Sequence, residues 1–131
     1  MLKILKPRKK SLISKDHKQN STSQTSRILV YMVLFLILFH NLACIWFLIA
    51  RYNDFEEDTW VYRYEFVSKP IRAQYLASFY FILTTITTVG YGDISPKNEA
   101  EHAFCILVMM IGVFSYSLAI GTFTSLISAR N

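Results

Sequence analysis

Two long apolar runs dominate the chain, and a shorter apolar run lies between them. Residues 28–50 hold 23 positions without Asp, Glu, Lys or Arg, and as a helix they cover about 34 Å, which is enough to cross a bilayer. Residues 103–127 give a second uncharged run of 25 positions. Residues 73–89 are uncharged over only 17 positions, too few to span a membrane and then form a loop. This run predicts a helix that enters the membrane and returns to the same side.

The short run ends in the residues Thr-Thr-Val-Gly-Tyr-Gly-Asp at 87–93. A dehydrated potassium ion needs oxygens to replace its water, and rings of neutral backbone carbonyls supply them without holding the ion too tightly. For consecutive carbonyls to point the same way, the backbone must alternate between ordinary and left-handed conformations. Gly90 and Gly92 stand at alternate positions and adopt the left-handed conformation at almost no steric cost. The residue types predict an ion path lined by carbonyl groups.

The predicted ion path uses five consecutive residues, Thr88, Val89, Gly90, Tyr91 and Gly92. We expect K⁺ to bind the backbone carbonyls of the first four, and the Thr88 hydroxyl to add a ring of oxygens at the inner end. The Val89 and Tyr91 side chains are expected to point outward into supporting protein. Because one strand supplies only one wall, the pattern implies a symmetric ring of copies around the ion.

Residues 87–93 match the signature of potassium-channel selectivity filters, and over about 29–128 the chain resembles the pore domain of that family. The resemblance implies an all-α membrane protein in which two transmembrane helices flank a re-entrant pore helix and a selectivity filter, assembled as a tetramer. The predicted segments are a basic cytoplasmic segment and linker at 1–27, a pore domain at 28–128 and a cytoplasmic tail at 129–131. Within the pore domain they are an outer helix at 28–50, an extracellular loop at 51–73, a pore helix at 74–87, a selectivity filter at 88–93 and an inner helix at 103–127.

Two further stretches narrow the resemblance. Residues 40–47 are similar to a His-Trp-x-Ala-Cys-x-Trp run of the ether-à-go-go, cyclic-nucleotide-gated and plant shaker-like channels, with Asn41 where a Trp is usual. Residues 112–121 resemble the inner helix of the hyperpolarisation-activated and ether-à-go-go groups. A His in a membrane helix is costly against lipid, so we expect His40 to face protein in a structural role.

The segment before the filter contains its predicted supports. Buried Thr hydroxyls usually bond to neighbouring backbone, which we expect of Thr84, Thr85, Thr87 and Thr88. In the family, positions 80 and 81 are often both Trp and brace the Tyr and the Asp of the filter. Here Tyr80 can still donate a hydrogen bond to Asp93. Phe81 cannot donate one to Tyr91, so this brace is missing.

The predicted inner helix carries Gly112 and Gly121. Glycines in membrane helices mostly permit close packing, and the alternative is that one of the two is a bending point for a gate. A second set of residues shares one helical face at a spacing of three, four and four residues. This face either lines a water-filled cavity or packs against other helices, and it consists of Val113, Tyr116, Ile120 and Thr124.

Charge predicts the orientation of the chain. Residues 1–27 carry eight bases and one acid, a net charge of 8 − 1 = +7, so both termini are expected in the cytoplasm. Residues 51–74 and 93–102 carry five bases and eight acids, a net charge of 5 − 8 = −3, which would raise the local cation concentration outside. Aromatic residues between 60 and 66 are expected to form an interfacial belt.

The predicted function is passive, potassium-selective conduction by a piece of a larger voltage-gated channel. One alternative is a truncated subunit that does not conduct but binds and regulates full-length channels. Another is a weakly selective cation channel. No base, nucleophile or metal constellation supports an enzyme. We expect a homotetramer, or a heterotetramer with related subunits, in a lipid bilayer. No cofactor beyond the transported K⁺, no nucleic acid and no small-molecule substrate is expected.

Overall fold

The computed structural model describes the backbone of residues 5–130, with the side chains of 5–22, 24, 126, 129 and 130 left undescribed. Over this range all regular secondary structure is helical, which confirms the predicted all-α class. The first four residues of the predicted basic segment and residue 131 of the predicted tail lie outside the described residues. The helices are α1 (Leu5–Tyr52), α2 (Trp60–Arg63), α3 (Ile71–Ile86) and α4 (Glu99–Arg130).

Helix α1 begins well before residue 28, inside the predicted basic segment and linker. The helix has 48 residues and continues without a break through the polar, Ser/Thr-rich stretch. Pro7 lies in the first turn of α1, where its missing N–H would have no partner within the helix anyway. No further Pro and no Gly follows before the apolar run. Because extending a helix is far easier than starting one, the apolar part of α1 supports the polar part.

The two long helices match the two predicted membrane spans. Thr25–Tyr52 and Glu99–Ser125 are long and apolar enough to cross a bilayer. Helix α3 has only 16 residues, about 24 Å at the helical rise, so it falls short of a full span. It contacts both long helices. The third apolar run therefore forms a short helix between two spans, as the pattern of residues predicted.

The centre of the core is Trp46 of α1, whose indole is fully buried. Its ring stacks on Trp60 of α2 with centroids 5.6 Å apart and on Phe81 of α3 at 4.4 Å. It also stacks on Phe104 of α4 at 6.0 Å. One side chain thus contacts all three other helices. Aromatic pairs of this kind contribute beyond the apolar area that they bury.

Helix α4 turns one narrow face toward this core. Its buried residues recur at helical spacing along the first half of the helix. They are Glu101, Cys105, Val108, Gly112 and Ser115. Beyond Ser115 no described residue of α4 is buried. The packing within one chain is therefore confined to the end of the molecule that carries α2 and the start of α4.

The outer loop differs from the predicted aromatic belt. Trp60 is fully buried and stands in α2, whose N-cap is Thr59. Phe66 packs on Trp60 with ring centroids 5.8 Å apart, and the Tyr64 hydroxyl is hydrogen-bonded to Ser95 at 2.9 Å. Only Tyr62 among these aromatics is strongly exposed. The aromatics fold the loop onto the core because Trp46 offers Trp60 a flat apolar surface.

Candidate functional site: the loop at 87–93

The loop after α3 has the alternating backbone that the sequence predicts. The φ angles of Thr88, Gly90 and Gly92 are +62°, +54° and +77°, while Val89 and Tyr91 between them have no positive φ. A β-branched residue such as Thr88 is strained at positive φ, so neighbouring contacts must hold it there. Left-handed residues therefore occupy every second position from 88 to 92.

Hydrogen bonds from the loop to the end of α3 hold its first residues in place. The Thr84 carbonyl accepts from the amide of Val89 at 3.0 Å and from that of Gly90 at 3.1 Å. The Thr88 amide donates to the Thr85 carbonyl at 3.1 Å. Carbonyls at a helix C-terminus lack partners within the helix, and the loop amides satisfy them. The strained conformation of Thr88 is thus fixed on both sides.

The Thr hydroxyls before the loop bond to backbone as expected. Thr84 and Thr85 both donate to the Phe81 carbonyl, at 3.0 and 2.7 Å. Thr87 donates to the Leu83 carbonyl at 2.7 Å. Each bond satisfies the hydroxyl within the last turns of α3. These three residues support the end of the helix on which the loop is anchored.

At the other end of the loop Tyr80 contacts two loop residues. Its hydroxyl donates to the Asp93 carboxylate at 2.8 Å, and its ring stacks on Tyr91 with centroids 6.5 Å apart and planes 4° from parallel. The hydrogen bond to Asp93 raises the pKa of Tyr80 above its usual value. Phe81, in contrast, faces Trp46 in the core.

The side chains of Val89 and Tyr91 project from the chain. Val89 is 52% exposed and Tyr91 is 72% exposed. Side chains that leave the loop on its outside are compatible with carbonyls that face the other way. Tyr91 has one neighbour in the same chain, the Tyr80 ring. Support of both side chains by surrounding protein stays a prediction that needs neighbouring copies.

A buried carboxylate that was not predicted contacts the connection that follows the loop. Glu101 is fully buried, and its two oxygens accept from the backbone amides of Trp60 at 3.0 Å and Lys97 at 2.8 Å. Its own amide donates to the Asn98 side chain at 2.9 Å. Asn followed three residues later by Glu before an apolar run is the sequence signal of a helix start. This signal could have identified the contact between Asn98 and Glu101.

Tyr64 at the end of α2 contacts two residues of the connection that leaves the loop, Ser95 and Lys97. The Lys97 ammonium lies 4.9 Å from the centre of the Tyr64 ring. Burial raises the pKa of Tyr64, but the hydrogen bond with Ser95 and the Lys97 ammonium lower it, and the net pKa is below the usual value. This connection is therefore held by side-chain contacts at residues 95 and 97 as well as by Glu101.

His40 connects α1 to α3 on the N-terminal side of Trp46. Its Nδ1 is hydrogen-bonded to the Tyr75 hydroxyl at 2.8 Å, and the two rings lie 5.7 Å apart. Its Nε2 lies 3.7 Å from the Cys44 sulfur. His40 therefore contacts protein, but it is exposed in the single chain, so its packed structural role stays a prediction.

The residues predicted on α4 separate into two groups. Gly112 is buried, and a Cβ there would lie 3.2 Å from the Cα of Ile86 at the end of α3. An added Cβ at Gly121 would meet no described atom within 4 Å. The predicted pore-lining face is exposed in the single chain and comprises Val113, Tyr116, Ile120 and Thr124. Gly112 therefore permits close packing, while the roles in bending and in pore lining stay predictions.

The arrangement defines a class of protein: a membrane protein with two spans, a short helix between them and a loop of alternating backbone that follows this helix. A family model described as "Ion channel" matches residues 27–129. The chain therefore belongs to this ion channel family. It is an integral membrane protein of a family of channels rather than enzymes.

Several curated proteins are similar to the chain. The voltage-gated delayed rectifier potassium channel KCNH1 of Rattus norvegicus is 32% identical over 124 residues, which cover 76% of this chain and 13% of that protein. KCNH5 of Homo sapiens is 30% identical over 123 residues, with 76% of this chain and 12% of that protein covered. KCNH8 of Mus musculus is 31% identical over 116 residues, with 73% of this chain and 10% of that protein covered. The chain thus matches only about an eighth or less of each of these relatives.

Proposed function

We propose that the chain is one subunit of a potassium-selective pore that conducts passively. The observation that carries the proposal is the alternation of left-handed residues at Thr88, Gly90 and Gly92. Such an alternation turns successive carbonyls toward one side, where they replace the water of a K⁺ ion. The carbonyls of residues 88–91 are the proposed ligands. The names of the similar proteins, which are potassium channels, support the choice of ion.

The proposed pore contains four copies. One loop supplies one wall, and a closed ring of loops is needed to surround an ion. Val89 and Tyr91 are largely exposed in the single chain, and neighbouring copies would cover these side chains further. The strongly exposed apolar residues of α1 and α4 give further surface for contact with other copies and with lipid.

The proposed orientation places both termini in the cytoplasm and the outer loop outside. The net charge of +7 over residues 1–27 supports it, because basic segments beside a span stay inside. Tyr80 and Asp93 then stand at the outer end of the filter. Asp93 adds negative charge where cations enter from outside.

A flux assay tests the proposal. Purified chain in liposomes is expected to carry potassium in preference to sodium. Gly90→Ala is expected to abolish the potassium flux, because the φ of +54° costs an L-residue roughly 1–2 kcal/mol in every subunit and distorts the carbonyl ring. Ser68→Ala, an equally small change in the exposed outer loop, is the matched control and should conduct as the wild type does.

The assay separates the alternatives. Size-exclusion chromatography and circular dichroism first establish that each variant is folded and assembled. An assembled wild type that passes neither ion would favour a regulatory subunit that binds other channels. Equal potassium and sodium fluxes would favour a weakly selective cation channel. Either outcome would contradict the proposed function.

A further inference from the structure

We infer that Glu101 is a positioning residue that fixes the outer end of the filter against α2 and α4; this inference rests on the proposed function. Glu101 contacts no ion. It acts through the connection that leaves the filter at Asp93 and reaches α4 at Glu99. Selective conduction then depends on a side chain outside the filter motif.

The contacts of Glu101 join two segments that are distant in sequence. One oxygen accepts from Trp60, the first residue of α2, and the other accepts from Lys97, four residues after Asp93. The Trp60 ring in turn stacks on Trp46 at the centre of the core. Glu101 therefore connects the exit of the filter to the aromatic core around Trp46.

Burial makes these two hydrogen bonds important. Glu101 has no exposed surface, and a buried carboxylate is costly unless its oxygens are hydrogen-bonded. Both partners are backbone amides, so their positions are set by the course of the chain rather than by a mobile side chain. Loss of either bond would leave a buried polar group without its partner and release one of the two segments.

The geometry requires a carboxylate rather than an amide. Both Glu101 oxygens face N–H donors, and a carboxylate accepts at both oxygens. In Glu101→Gln one oxygen becomes an NH₂ group, which would place a donor against a donor. Protonation has a similar effect because the added proton removes acceptor capacity at one oxygen. Acid on the outer side should therefore reproduce part of the effect of the substitution.

The charged and titratable groups around Glu101 are few. Asp58 faces it from the loop before α2, and Cys105 lies one turn further along α4. Lys97 contributes its backbone amide to Glu101, while its ammonium lies over the Tyr64 ring. His102, the next residue on α4, is exposed, and its Nδ1 is paired with the Asn98 carbonyl.

The chain offers a matched control for Glu101. Glu99 stands in the same first turn of α4 and is exposed, with no hydrogen bond from its side chain. Glu99→Gln removes the same charge from the same helix end and leaves both anchoring bonds intact. A difference between the two Gln variants therefore reports the hydrogen bonds of Glu101 and not the charge of the outer mouth.

The test compares the wild type, Glu101→Gln and Glu99→Gln as assembled channels in planar bilayers. Conduction by Glu101→Gln is expected to decay about tenfold faster than that of the wild type in low external potassium. This is the effect of one lost hydrogen bond to a charged group. The variant is also expected to have a lower potassium-to-sodium selectivity. Glu99→Gln should match the wild type in both. External acid should speed the loss of conduction in the wild type and in Glu99→Gln but have little further effect on Glu101→Gln.

A purely structural role is distinguishable from positioning. If assembled Glu101→Gln is less stable yet keeps the selectivity, the rate of loss and the pH profile of the wild type, the inference is overturned. If the wild type itself does not conduct, the proposed function fails and amide hydrogen exchange decides the inference. Residues 93–98 should then exchange faster in Glu101→Gln than in Glu99→Gln, and equal exchange would overturn it.

Discussion

The two ends of the molecule differ in how much of their apolar surface one chain can bury. The filter half, residues 42–112, contains Trp46, Trp60 and most of the other buried apolar side chains. The distal half, residues 25–37 and 113–128, exposes most of its large apolar side chains, among them Leu29 at 63% and Phe114 at 69%. The helices that carry the filter loop are therefore packed against one another within a single chain. The distal half needs lipid or other copies to cover it, as the proposed assembly provides.

The strongest test of this difference is truncation of the central indole. Trp46→Ala removes a fully buried ring that stacks on three helices, and we expect a loss of about 3–5 kcal/mol in the free energy of unfolding. Trp46→Phe should cost much less, because it keeps a ring and removes an indole N–H that has no acceptor among the described residues. Unfolding in detergent followed by circular dichroism measures both. A small effect of Trp46→Ala would contradict a self-packed filter half.

The second test concerns the contact between α3 and α4. Gly112→Ala places a Cβ 3.2 Å from the backbone of Ile86, which cannot rotate away, and overpacking of this kind costs roughly 1–3 kcal/mol. Gly121→Ala meets no described atom within 4 Å and should not lower the stability of the fold. The same unfolding assay compares them. Equal effects would show that Gly112 is not a close-packing position.

A smaller effect is expected at the outer brace of the loop. Tyr80→Phe keeps the ring on Tyr91 and removes only the hydrogen bond to Asp93. Because this hydrogen bond is exposed, the stability should fall less than in Gly112→Ala. Conduction by Tyr80→Phe should still decay faster than conduction by the wild type in low external potassium. Unchanged decay would show that the bond between residues 80 and 93 does not support the filter.

The smallest effect on the single-chain fold is expected in the distal half. Phe114→Ala truncates a side chain that is 69% exposed, and exposed substitutions usually change stability by less than about 0.5 kcal/mol. The free energy of unfolding is measured for this variant, and cross-linking measures its fraction of tetramer. A stability loss as large as that of Trp46→Ala would mean that the distal half is packed as firmly as the filter half.

The features that could be predicted from sequence are those set by local chemistry. Alternate glycines at 90 and 92 predict the left-handed positions that the loop adopts, and the lengths of the apolar runs predict two spans and one short helix. The hydrogen bond from Tyr80 to Asp93 was also predictable, because the family motif relates the two positions.

The features that escaped prediction depend on distant partners. Trp60 and Glu101 are 41 residues apart, and nothing in the sequence near either one reveals the other. An acid in an outer loop is usually solvated, and four aromatics at alternate positions suit a membrane interface equally well. The unbroken course of α1 was missed for another reason: polar residues without Gly or Pro can continue a helix that an apolar run has begun.

The measurement that tests the account most directly is the reversal potential of the reconstituted wild-type chain in a planar bilayer with potassium on one side and sodium on the other. A carbonyl filter selective for potassium predicts a reversal potential close to that of a pore permeable to potassium alone, and its loss in Gly90→Ala. A reversal potential near zero in an assembled, conducting wild type would contradict a carbonyl filter selective for potassium at residues 88–92.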